Sequence, residues 1–89
     1  MVSKQVTVIN KMGFHMRPAS EFVKAMGLYK SHIDLIFNGK IIDGKSIMNV
    51  MASCIQCGSH IEFQCTGPDE EEMLAAAVAL VENKLGDSE

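Results

Sequence analysis

The chain has 89 residues, of which 47% are apolar and 21% charged. A compact chain of this size exposes roughly 5,000 Å² of the roughly 14,000 Å² its extended form shows, which is enough burial for one modest core. Disorder and collagen are excluded by composition, and no apolar run approaches the roughly 20 residues of a membrane span. The net charge of −3 disfavours a nucleic-acid partner, but it is unevenly placed. Residues 1–45 hold seven Lys/Arg against three Asp/Glu, and residues 46–89 hold one against eight. An anion or an acidic partner is therefore expected on the first half. The opening residues alternate polar and apolar, with no signal-peptide core, so a cytoplasmic protein is expected.

In chain order, residues 4–9 alternate, with Val6 and Val8 on one face, and predict a strand. Residues 10–12 connect, and Gly13 marks a turn. From Met16 the period becomes helical, with Ala19, Phe22, Val23 and Met26 at three- and four-residue spacing. Pro18 falls in the first turn, where its missing N–H does no harm, and Gly27 is the expected stop. Ile33, Leu35 and Phe37 predict a second strand. Asn38-Gly39 is the strongest short hairpin signal, and residues 40–43 return as a third strand. Ser46 is the expected N-cap of a short helix, with Ile47 or Val50 filling the core and Gly58 closing the region. Ile61, Phe63 and Cys65 predict a fourth strand. Asp69 is the expected cap of the last helix, with Glu72 completing a capping box. Leu74, Ala77, Val78, Val81 and Leu85 form its apolar stripe, and Gly86 ends it. The order β-α-β-β-α-β-α predicts an α+β fold. It is a two-layer open-faced sandwich, with a four-stranded mostly antiparallel sheet and helices on one face, as a single domain over 1–89.

Chemistry concentrates at Gly13-Phe14-His15-Met16-Arg17-Pro18-Ala19. A histidine at a helix N-terminus stands beside backbone N–H groups that lack intrahelical partners, and these groups with the dipole attract phosphate. Arg17 adds a fixed charge and a fork of donors, and Lys24 and Lys45 add to the field. An imidazole nitrogen placed here is a nucleophile that can take up a phosphoryl group and give it away. The segment holds no second base and no carboxylate pair for an independent catalytic cycle. On these residues alone, a plain surface or capping histidine remains an open reading.

This stretch resembles the active-site signature of HPr, the histidine-containing phosphocarrier family of the bacterial sugar phosphotransferase system. Lys45-Ser46-Ile47-Met48, followed by Val50-Met51, resembles the regulatory-serine segment of the Gram-positive type. The resemblance covers essentially the whole chain and implies the element order just read. It implies that His15 takes a phosphoryl group on Nδ1 from enzyme I and passes it to sugar-specific IIA components. Arg17 and the backbone amides of the helix start formed by Met16, Arg17 and Pro18 would hold that group, with Pro18 shaping the first turn. Ser46 would be phosphorylated by an ATP-dependent HPr kinase/phosphorylase, with a catabolite control repressor as a further partner. Phe14, Ser20, Lys24, Ile47, Met48 and Met51 are expected to line the docking surface, because thioethers suit surfaces that meet several partners. Three positions depart from the usual pattern: Met16 where a small residue is usual, Phe14 where an aliphatic one is, and Asn49 where Gly or Lys is common. The second reading is an HPr-like regulatory module acting through Ser46 without sugar phosphotransfer.

Cys54-x2-Cys57-x2-His60-x4-Cys65 has ligand types that zinc accepts, but Cys65 points inward on a strand, so neither metal nor cofactor is expected. An odd number of cysteines without a signal peptide argues against a disulfide framework. His32 and His60 are expected to be exposed strand residues, the acidic run at 69–72 a solvated helix start, and the protein a monomer.

Overall fold

A computed structural model describes residues 1–86; the last three positions of the expected 1–89 domain lie outside the described residues. The elements are β1 (Val2–Thr7), α1 (Met16–Met26), β2 (His32–Phe37), β3 (Lys40–Asp43), α2 (Ile47–Ala52), β4 (His60–Thr66) and α3 (Glu70–Glu82). A short 3-10 turn follows at Lys84–Gly86. The strands form one sheet in the order β1-β4-β2-β3, and every pairing is antiparallel. The expected sandwich is the observed one, with no parallel pair in the sheet.

Alternation decides which strand residues face the helices. Ile33 and Leu35 on β2, Ile42 on β3, and Ile61, Phe63 and Cys65 on β4 are all buried. Register places them in rows, with Leu35 opposite both Ile42 and Phe63, and Ile33 opposite Cys65. The helices close over this face with Ala19, Phe22 and Met26 from α1, Val50 from α2, and Met73, Ala77 and Val81 from α3. The accessible surface, 5086 Å², matches what a self-contained core of this mass leaves outside. Phe22 is the hinge of the packing. Its ring meets Phe14 edge-on at a centroid distance of 5.3 Å and lies against Phe63 at 5.5 Å. Both are favourable aromatic arrangements.

Several local expectations are corrected. The first strand occupies Val2–Thr7 rather than 4–9, because Val8 leaves the ladder while keeping its pairing: its N–H donates to the Ser59 carbonyl and its own carbonyl accepts from Gly58. Helix α3 ends at Glu82, not at Gly86, and Leu85 reaches the core from the turn beyond it. Met73, absent from the expected stripe, is fully buried. Of the two core candidates on α2, Val50 fills the core and Ile47 is 37% exposed.

The expected capping box is replaced by a tertiary contact. Asp69 occupies the N-cap position of α3 but makes no side-chain cap hydrogen bond. Its carboxylate instead accepts the N–H groups of Lys30 at 3.0 Å and Ser31 at 2.8 Å, together with the Ser31 hydroxyl. The same hydroxyl accepts the Asp69 N–H at 3.0 Å. Glu70, rather than Glu72, reaches back, accepting the Gly67 N–H at 3.1 Å. The donors on Asp69, the Ser31 hydroxyl first and the Lys30 N–H next, lower its pKa from 3.8 to about 2. A carboxylate depressed on folding contributes stability above its unfolded pKa and loses it as pH falls through the folded one. Urea midpoints should therefore fall between about pH 4 and pH 2. Asp69→Asn is expected to flatten that part of the pH profile and to lower the midpoint at neutral pH.

Candidate functional site

His15 is the residue immediately before α1. Its backbone is extended (φ −78°, ψ −174°), it occupies the N-cap position, and its side chain makes no cap hydrogen bond. Its carbonyl starts the helix by accepting the Ala19 N–H at 2.9 Å. Pro18, buried in the first turn, carries no N–H. Met16 and Arg17 open α1, at the helix end whose backbone N–H groups and dipole attract anions. Arg17 is exposed beside them, Met16 is 67% exposed, and Lys24 lies in the last turn of the same helix. Ser20 is half-buried.

The loop that delivers His15 is built by backbone contacts. Asn10 is buried and spans the turn, with its Nδ2 donating to the Gly13 carbonyl at 2.7 Å while the Gly13 N–H donates to the Asn10 carbonyl at 3.1 Å. Gly13 adopts φ +62°, and a Cβ there would sit 2.4 Å from the Ile55 carbonyl oxygen. The next residue, Phe14, donates its N–H to that same oxygen at 3.0 Å. The two residues that lead into His15 thus rest on the segment that follows α2, a contact that no sequence pattern announced.

Phe14 is corrected from a docking residue to a core residue. It is 4% exposed, because its ring packs on Phe22. The expected docking residues on α2 face solvent, Ile47 and Met51 at 37% exposure each and Met48 at 79%, and Lys24 is exposed on α1. Helix α2, which carries them, packs beside α1. Ser46 is the N-cap of α2, its hydroxyl accepting the Asn49 N–H at 3.3 Å, a contact worth about 1 kcal/mol. Lys45 donates from its Nζ to the carbonyl of Tyr29 at 2.7 Å, a residue that follows the far end of α1 from His15.

Elsewhere, His32 pairs with Asp34 at 2.7 Å and His60 meets Thr7 at 3.0 Å. Both histidines are exposed on strands, as expected. Among the described residues no group of three or more His, Cys, Asp or Glu side chains could hold a metal, and no helix is long and apolar enough to cross a membrane.

An open-faced sandwich that presents a histidine and an arginine at the mouth of its first helix has the layout of a phosphoryl-group carrier. The family model described as PTS HPr component phosphorylation site matches residues 2–83. Phosphocarrier protein HPr of Cupriavidus necator is 36% identical over 89 residues, covering 100% of both chains. HPr-like protein Crh of Halalkalibacterium halodurans is 39% identical over 84 residues, 94% of this chain and 100% of that one. The crystal structure of HPr-C-His from Thermoanaerobacter tengcongensis superposes with a TM-score of 0.95 at 34% identity, over 100% of both chains. The chain belongs to the HPr family, the phosphocarriers of the phosphotransferase system, and is a carrier rather than a classical enzyme.

Proposed function

We propose that His15 accepts a phosphoryl group from phosphorylated enzyme I and passes it to sugar-specific IIA components. The observation that carries this reading is the position of His15 at the N-cap of α1, close to Arg17 in the chain, within the region matched by the family model. The Nδ1 lone pair attacks phosphorus as the bond between phosphorus and its donor atom on enzyme I breaks, and that atom leaves with the electron pair. The Met16 and Arg17 N–H groups and the Arg17 guanidinium hold the transferred oxygens, and the helix dipole adds to their field. Pro18 pre-sets the first turn and contributes no donor that would draw the anion deeper. Exposed Met16, Ile47, Met48 and Met51, flanked by Arg17, Lys24 and Ser20, form the docking surface for acidic-rimmed partners.

Ser46 is the second switch, as in the Gram-positive type. Phosphorylation by an HPr kinase/phosphorylase places about −1.5 to −2 charges at the positive end of α2, where the helix tolerates them. The same charges repel acidic partners from the surface that Met48 and Met51 line, and they create the form that a catabolite control repressor recognises. The whole chain acts as one domain, as a monomer in the cytoplasm. The similarity to Crh supports the second reading, a regulatory module acting through Ser46 alone; His15 in its motif favours the carrier.

Intact-mass spectrometry after incubation with phosphoenolpyruvate and a bacterial enzyme I tests the assignment. One phosphate lost in mild acid and absent from His15→Ala is expected, because phosphohistidine is acid-labile. Incubation with ATP and an HPr kinase should add an acid-stable phosphate that is absent from Ser46→Ala. No phosphate from an enzyme I that is active on another HPr would overturn the carrier reading and leave the regulatory one.

A further inference from the structure

The loop between α2 and β4 holds two exposed cysteines, Cys54 and Cys57. They bracket the backbone that positions the histidine. Between them lies Ile55, 2% exposed, whose carbonyl accepts the Phe14 N–H and abuts Gly13. On the other side, the Gly58 N–H donates to the Val8 carbonyl at 2.7 Å, and the Ser59 carbonyl accepts from Val8 at 2.9 Å. The Cys57 thiol itself lies 3.8 Å from the Ile9 carbonyl. A change in the 54–57 backbone is therefore passed to both ends of the loop that carries His15.

We propose that Cys54 and Cys57 form a thiol–disulfide site that slows phosphoryl acceptance when oxidised, a role that rests on the carrier reading of His15. The three-residue spacing is that of dithiol motifs that exchange with disulfides. One thiolate attacks a sulfur of a low-molecular-weight disulfide, forming a mixed disulfide and expelling one thiolate. The second cysteine attacks that mixed disulfide, forming the Cys54–Cys57 bond and expelling the other thiolate. Two cysteine thiols are oxidised, one external disulfide is reduced to two thiols, and the two protons pass to the departing sulfurs.

In the reduced protein the thiols open onto different recesses. Cys54 faces one with Asn38, Lys40 and Ile41, and Cys57 faces one with Lys11 and Met12. The two thiols are unbridged here, and the specific geometry of a disulfide would constrain the backbone between them, the Ile55 carbonyl included. Cys54 occupies the left-handed position after α2, at φ +57°, where a residue with a Cβ is held at a cost. Cys65 does not compete, since burial, with Glu70 adding to it, pushes its thiol up to about 11.

The test is oxidation of the full chain in glutathione buffers of increasing disulfide content, followed by intact mass and by the rate of phosphorylation by enzyme I. The expected product is about 2 Da lighter than the reduced protein, is not formed by Cys54→Ser or Cys57→Ser, and reverts with dithiothreitol. Its phosphorylation should be at least about tenfold slower than that of the reduced protein, since a displacement of about 1 Å at a reacting group can cost a hundredfold. Glutathione adducts without the lighter species would overturn the proposal, and so would no reaction at all. A disulfide that leaves the rate unchanged would overturn its coupling to His15. If the reduced protein is itself not phosphorylated, the carrier reading fails, while the mass change still reports on the thiol pair.

Discussion

Gly13→Ala is expected to destabilise the protein by about 3 kcal/mol or more and to slow phosphoryl acceptance in the fraction that folds. Two costs add at this position. The left-handed conformation penalises any residue with a Cβ by roughly 1–2 kcal/mol. The new methyl also meets the Ile55 carbonyl oxygen at 2.4 Å and Gln56 Cα at 2.7 Å, and both are backbone atoms that cannot swing aside. Gly39→Ala separates the two effects. Gly39 also has positive φ, +77°, but a Cβ there meets nothing within 4 Å. Its replacement should cost only the conformational term, about 1 kcal/mol. With a urea slope of about 1–3 kcal/mol/M, the Gly13 variant should lose at least about 1 M in midpoint and the Gly39 variant about a third as much as the Gly13 variant. Equal losses at the two positions would mean that the Gly13 loop does not rest on the 55–56 backbone.

Phe22→Ala is expected to cost about 3–5 kcal/mol, the range for removing a buried aromatic ring. Phe22 is fully buried and joins the loop residue Phe14 to the strand residue Phe63. Its loss therefore opens a cavity directly beneath the start of α1. For a domain of this size, 1 kcal/mol corresponds to about 4–8 °C in melting temperature, so a fall of well over 10 °C is expected in calorimetry. Met48→Ala is the contrast, since at 79% exposure it should stay within about 0.5 kcal/mol of the parent. Any effect of Met48→Ala on phosphorylation by enzyme I then reports on docking alone.

Much of this molecule was legible along the chain. Strand alternation and helical period assigned all seven main elements, because burial on one face imprints its period directly on sequence. Asn38-Gly39 placed the hairpin, and Asn38 and Gly39 both have positive φ. Ser46 was legible as an N-cap because that contact spans only three residues. The His15 segment stood out for the same local reason: a helix start, a proline in its first turn and an adjacent arginine are neighbours in sequence.

The misread features all depend on residues far apart in the chain. Phe14 looked like a rim residue, yet the Ile55 carbonyl and the Phe22 ring draw it inward. Asp69 looked like a helix cap, yet donors at Lys30 and Ser31 compete for its carboxylate and win. A local pattern records what a residue can do with its neighbours along the chain, while a carboxylate or a ring is claimed by whichever partner the packing brings closest. By itself, then, the sequence determined the α+β sandwich, the α2 cap and the histidine at the start of α1. Only the tertiary structure decided that the loop carrying His15 rests on the backbone between Cys54 and Cys57, because a contact spanning some forty residues leaves no periodic trace in either segment.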